Sequence, residues 1–138
     1  MNISYVLLTA AKNEENFIRQ TIESIVSQKV LPVKWVIVSD ASIDSTDDII
    51  QHYTHKFNFI QYVRVTNQSI RDFSCKIFAL NIGYEYLKDV VYDFIGILDA
   101  DVTLSTIYYE TILNKFLLDQ KLGIAGGIIY DFLQWQVS

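Results

Sequence analysis

Residues 94–101 read Phe-Ile-Gly-Ile-Leu-Asp-Ala-Asp, and this stretch limits what the chain can fold into more than any other. Five residues without a charge end in two carboxylates one residue apart, the pattern of a buried central strand that delivers acid groups to its carboxyl edge. Asp99 and Asp101 stand at i and i+2. A strand that breaks into a loop between them can turn one toward a cation and the other toward a ligand hydroxyl. An isolated Asp-x-Asp also reads as a cap followed by a solvated loop acid, so the surrounding chain has to decide.

The same alternation of apolar strand and polar loop recurs earlier. Residues 3–8 are β-prone and give way to Thr9-Ala10-Ala11-Lys12-Asn13. There Asn13 is placed to cap a helix that buries Ile18, Ile22, Ile25 and Val26 and runs to about Gln28. Residues 33–39 form a second strand, ending at Asp40 and the loop Ala-Ser-Ile-Asp-Ser-Thr. Ser45 with Asp48 resembles a capping box for a second helix, which carries Ile49, Ile50, Tyr53 and Phe57 inward. Residues 59–65 make a third strand, and 66–72 a polar loop containing Arg71. A third helix, from Ser74 to about Lys88, repeats Phe78, Ala79, Ile82, Gly83 and Tyr86 at helical spacing. Beyond Asp101, Ser105 or Thr106 can cap a fourth helix with Tyr109, Ile112, Leu113, Phe116 and Leu117 on its buried face. Gly123 fits its stop, and residues 124–132 a fifth strand.

Strands alternating with amphipathic helices predict an α/β fold, a Rossmann-like, mostly parallel sheet with helices on both faces. Its ligands should bind beyond the carboxyl ends of the strands. The loop 9–13, Asp40, Arg71, Asp99 and Asp101 all fall at that edge, which favours the cleft reading over the cap.

Composition narrows the chemistry. With 138 residues, 51% of them hydrophobic, the chain is expected to be one ordered domain, 1–138. A net charge of −5 without a Lys/Arg cluster excludes a broad nucleic-acid surface, so an anionic ligand would have to be held locally. A single cysteine, Cys75, is read as packing and rules out an internal disulfide framework. His52 and His55 have no acid or thiol partner in sequence and read as surface residues. No segment has the length of a membrane span or the form of a signal peptide, and a cytoplasmic location is the expectation, at the inner face of a membrane if other parts of a longer protein attach it there. Neither Gly-x-Gly-x-x-Gly nor Gly-Lys-Ser/Thr occurs, which leaves a metal as the way to hold a diphosphate.

The ordered set Leu-Leu-Thr-Ala-Ala-Lys-Asn-Glu-Glu, Val-Ser-Asp-Ala-Ser-Ile-Asp-Ser-Thr, Ala-Leu-Asn-Ile-Gly and Leu-Asp-Ala-Asp resembles the nucleotide-binding half of a family 2 inverting glycosyltransferase of the GT-A fold. The resemblance implies a nucleoside-diphosphate sugar as ligand, UDP-type favoured, and a divalent metal, Mn²⁺ or Mg²⁺, bound by Asp101. It implies that Asp99 accepts from a ribose hydroxyl and that Asp40 accepts an N–H of uracil or guanine. Thr9, Ala11 and Glu14 would surround base and ribose, and Arg71 and Lys76 would lie near the nucleotide or its phosphates. Ser39 departs from the family's first acid, and Leu80 from its common Arg. The acceptor, whether saccharide, lipid or protein, and the catalytic base belong in the family to a segment beyond Gly126-Gly127. Only 128–138 follows here, with Asp131 its one acid, so the chain is expected to be truncated before the acceptor-binding part and to bind donor without completing transfer. Two alternatives remain: a haloacid-dehalogenase-like phosphatase with Asp99 as nucleophile and Asp101 as acid, and a non-catalytic nucleotide- or protein-interaction module of the same fold.

Overall fold

The computed structural model describes residues 3–66 and 73–119, together with two short strands near the C-terminus. Its elements are β1 (Tyr5–Ala11), α1 (Ile18–Val26), β2 (Lys34–Asp40), α2 (Thr46–Lys56), β3 (Ile60–Val65), α3 (Phe73–Glu85), β4 (Phe94–Ile97), α4 (Tyr108–Leu118), β5 (Ile128–Ile129) and β6 (Trp135–Gln136). The first four strands form one parallel sheet in the order β3-β2-β1-β4. The α/β expectation holds, with helices on both faces.

Strand alternation sorts the core into two layers. Tyr5, Leu7, Trp35, Ile37 and Ile60 point to one face, where they pack with Ile18, Ile22 and Ile25 of α1, Ile50 and Tyr53 of α2, and Tyr109 and Leu113 of α4. Val6, Leu8, Val36, Val38, Val63 and Val65 point to the other, where α3 brings Ala79 and the following turn brings Leu87. The buried indole of Trp35 donates to the buried Thr9 hydroxyl at 2.9 Å, so no polar atom is stranded in the first layer at that point. Among the described residues no helix is long and apolar enough to cross a membrane.

Several local expectations are corrected. β1 continues through Ala11, because Thr9, Ala10 and Ala11 pair with Ile37, Val38 and Ser39. Asn13 is not a helix cap: it sits at φ 52, and α1 begins four residues beyond the expected start, after turn bonds from Phe17 and Ile18 N–H to the Glu14 carbonyl. The Ser45/Asp48 box does not form; Asp44 Oδ1 accepts from Thr46 N–H at 2.9 Å instead. In α3 the inward residues are Ala79, Gly83 and, beyond the helix end, Leu87, while Phe78 and Tyr86 are exposed. Leu117 is exposed on α4, whose start carries no side-chain cap bond. β4 is not central: among the described residues it ends the sheet, with Ile95 and Ile97 exposed. β5 pairs antiparallel with β6, in a separate two-stranded sheet; Gly123, Gly126, Gly127 and Asp131 lie outside the described residues.

Gly83 explains the close approach of α3. A Cβ there would stand 2.5 Å from Leu8 Cδ1 and 2.7 Å from Val38 Cγ2. Both neighbours are buried, and the β-branched valine has little rotamer freedom with which to yield. Gly83→Ala should therefore destabilise the chain by about 1 to 2 kcal/mol in urea unfolding, with overpacking outweighing the gain in helix propensity.

Candidate nucleotide-binding cleft

The chain leaves β1 for β2 and β3 on one side and returns to β4 on the other. Strand order reverses at β1, and loops diverging from the β1 and β4 ends open a crevice between them. A cleft of about 320 Å³ occupies that place, lined by Ala10, Ala11, Lys12, Glu14, Asp40, Lys76, Asp99, Ala100 and Asp101.

Six of the eight residues singled out in the sequence meet there: Ala11, Glu14, Asp40, Lys76, Asp99 and Asp101. Thr9 does not; its side chain is turned into the core beneath Trp35. Arg71 lies outside the described residues. Lys12, part of the first motif but without an expected role there, also lines the cleft. Asp40 is the last residue of β2, buried, on the face toward α3. Lys76 projects from the first turns of α3 and pairs with Asp99 at 2.8 Å, both side chains about half exposed. A pair this wet contributes little to stability, and its partners can exchange it for a ligand at small cost.

Two loops fix the acidic wall. Asn13 and Ala41, at φ 52 and 50, turn the chain left-handed after β1 and β2. Asn13 Oδ1 accepts from Ile43 N–H at 2.9 Å, and Asn13 N–H donates to Ser42 Oγ at 3.0 Å. Glu14 N–H donates to Thr46 Oγ1 at 2.8 Å, while Glu15 Oε1 accepts from Ser45 N–H. Beneath this clasp Ser39 donates its one hydroxyl hydrogen to Asp47 at 2.7 Å and accepts from the Ser42 hydroxyl at 3.0 Å. Tyr62 and Arg64 also donate to Asp47, so the carboxylate absent from position 39 is supplied from α2. Burial alone would raise Asp47, but the bonds from Tyr62, Ser39 and Arg64 outweigh it and hold the carboxyl below its ordinary value. Burial and the bond to Asp47 push the Tyr62 hydroxyl up to about 12.

The lining is electrostatically unbalanced. Two lysines against four carboxylates leave a formal charge of −2. Burial, then the charges of Asp101, Asp44 and Asp99, raise the Glu14 carboxyl above its ordinary range, with Lys76 opposing. Such a field favours a cation. Among the described residues no three His, Cys, Asp or Glu side chains converge into a metal cage. The donor set therefore fits a hard divalent ion held by one or two carboxylates, with Asp101 and Asp99 available, and completed by oxygens of a ligand and water.

Comparison with known proteins bears on the family and the fold. The sequence model of the family described as Glycosyl transferase family 2 matches residues 7–137. Glycosyltransferase GlyA of Streptococcus pneumoniae is 26% identical over 120 residues, covering 87% of this chain and 16% of that protein. The Staphylococcus aureus TarS 1-349 structure in complex with UDP-GlcNAc superposes with a TM-score of 0.66 at 19% identity, over 86% of this chain and 32% of that one. The mannosyltransferase PcManGT of Pyrobaculum calidifontis, in complex with GDP-Man and Mn²⁺, gives 0.65 at 19% identity, over 81% and 32%. The chain thus spans less than a third of the length of each of these proteins.

The Asp47 cluster makes a pH prediction. A carboxyl depressed in the folded state contributes stability that is present above its unfolded value and lost as pH falls through the folded value. Asp47→Asn should lower the thermal midpoint at neutral pH, and the variant's stability should decline less steeply below about pH 4 than that of the unsubstituted chain. Thermal unfolding followed by circular dichroism across pH 3 to 7 reads both effects.

Proposed function

The chain belongs to glycosyl transferase family 2, and from that premise we propose that its cleft binds the nucleoside diphosphate of an activated sugar, UDP-type favoured, for inverting transfer to an acceptor hydroxyl. The observation that carries this reading is the convergence of Asp40, Lys76, Asp99 and Asp101 on one cleft at the reversal of strand order. Support comes also from two solved relatives of the same fold, one in complex with UDP-GlcNAc and one with GDP-Man and Mn²⁺. The phosphatase alternative gains nothing from the geometry, because Asp99 follows the fourth strand, whereas that signature belongs after the first.

In this reading the residues divide the ligand between them. Asp40 accepts an N–H from the base edge, and its burial makes that bond selective. Ala10 and Ala11 leave room for base and ribose beside it. Asp99 accepts from a ribose hydroxyl once Lys76 leaves it, and Lys76 then turns its charge to a phosphate oxygen. Asp101, with Asp99 beside it, would hold Mn²⁺ or Mg²⁺. When bound, the ion offsets the negative charge of lining and diphosphate and stabilises the departing nucleoside diphosphate. Transfer also needs a base for the acceptor hydroxyl, for which no residue is assigned in this chain. The acceptor class, saccharide, lipid or protein, would be chosen by surfaces beyond this cleft.

Two variants test the assignment by calorimetry. Mn²⁺ or Mg²⁺ should tighten UDP binding, and Asp101→Asn should remove most of that tightening; an unchanged metal dependence rejects the metal role. Asp40→Ala should weaken UDP binding about tenfold or more, in line with about 1.5 to 3 kcal/mol for a charge-assisted bond, while binding of pyrophosphate with metal changes little. Equal losses for both ligands would remove Asp40 from base reading.

A further inference from the structure

β4 ends at Ile97, and residues 98–107 between it and α4 belong to no helix or strand, although two of the four acids of the cleft, Asp99 and Asp101, sit in this segment. Leu98 N–H still bonds the Leu8 carbonyl at 3.0 Å, and after that the sheet no longer guides the chain. The segment is instead fastened to α1 and the turn after it. The fully buried Thr21 hydroxyl donates to the Ala100 carbonyl at 2.9 Å, and Ala100 itself is buried between the exposed Asp99 and Asp101. At the far end the Gln28 side chain donates to the Ser105 carbonyl and accepts from Tyr109 N–H at 3.2 Å, while Lys29 N–H bonds the Thr106 carbonyl at 2.8 Å.

Within its own helix Thr21 has a longer contact, 3.3 Å to the Phe17 carbonyl. The shorter bond is the one across to Ala100. Fixing the Ala100 carbonyl fixes the plane of the peptide that enters Asp101 and, with Ala100 buried, restricts the path of the chain between the two acids. A valine at 21 would fill nearly the same volume but would leave a buried carbonyl without this donor.

We propose that Thr21, from the opposite side of the segment, is a positioning residue that aims Asp99 and Asp101 into the cleft through the Ala100 peptide. The proposal rests on the donor-site reading above and extends it to a residue that touches neither nucleotide nor metal. Thr21 acts on the acids much as an outer-shell partner acts on a ligating side chain, where loss typically costs about tenfold or more in metal affinity.

The test uses the whole 138-residue chain. MnCl₂ is titrated by calorimetry into protein saturated with UDP, for the unsubstituted chain, Thr21→Val, Thr21→Ser and Asp101→Asn. UMP binding without metal and the thermal midpoint are measured alongside. Thr21→Val should weaken Mn²⁺ binding about tenfold while UMP binding stays within about twofold, and Thr21→Ser should restore the metal affinity. Unchanged Mn²⁺ affinity in Thr21→Val overturns the inference, and the donor-site reading stands if Asp101→Asn still abolishes the metal effect. Parallel loss of Mn²⁺ and UMP binding, or failure of serine to rescue, assigns Thr21 a purely structural role and also overturns it. Absence of Mn²⁺ binding in the unsubstituted chain overturns the donor-site reading and this inference together.

Discussion

The parallel pairing of β1 with β2 on one edge and β4 on the other is the constraint on which the rest of the structure depends. Being hydrogen-bonded on both sides and covered on both faces, β1 has to be apolar along nearly its whole length, and Val6 and Leu7 are fully buried. The same double pairing brings the end of β4 beside the end of β1. Acids that follow one strand thereby face a loop that follows another, across a crevice left by the diverging crossovers. Without the reversal, two strands would stand between β1 and β4, and the Glu14 loop would lie far from Asp101 on the sheet edge.

The charge arrangement in the cleft follows from this geometry. Carboxylates from three separate segments converge within reach of two lysines, and burial together with the excess of acid raises the Glu14 carboxyl. Asp99 is satisfied by Lys76 in a half-exposed pair, an interaction strong enough to orient both side chains and weak enough to be given up. In the donor-site reading proposed above, ligand entry would exchange that pair for two new contacts, Lys76 with a phosphate oxygen and Asp99 with a ribose hydroxyl.

The two loops of the acidic wall are stiffer than their polar composition suggests. Side chains of Asn13, Ser42, Asp44 and Thr46 bond backbone groups across the gap between the β1 and β2 loops, and two non-glycine residues hold left-handed φ values there. Ser39 and Asp47 support this wall from the opposite face of the sheet. A serine near the strand end with an aspartate in the first turn of α2 keeps a carboxylate near that place without setting two acids side by side on the chain.

The hydrophobic periodicity determined the element order, the parallel sheet and the edge at which the acids gather, since burial of strands on both faces leaves a run of apolar residues that any reader of the chain can see. Ala11, Glu14, Asp40, Asp99 and Asp101, which stand in the ordered motifs, line one cleft, as does Lys76 between the third strand and the third motif. Only the tertiary structure decided the rest. Thr9 turned inward because strand pairing carried β1 two residues beyond it and a buried indole needed an acceptor. Asn13 lost its capping role to a bond with Ile43, Asp44 took the cap at Thr46, and α3 met the sheet through Ala79 and Gly83 and not through Phe78 or Tyr86. Each of these depends on a partner 26 or more residues away or on a choice between competing local bonds, and local pattern carries no information about which partner arrives.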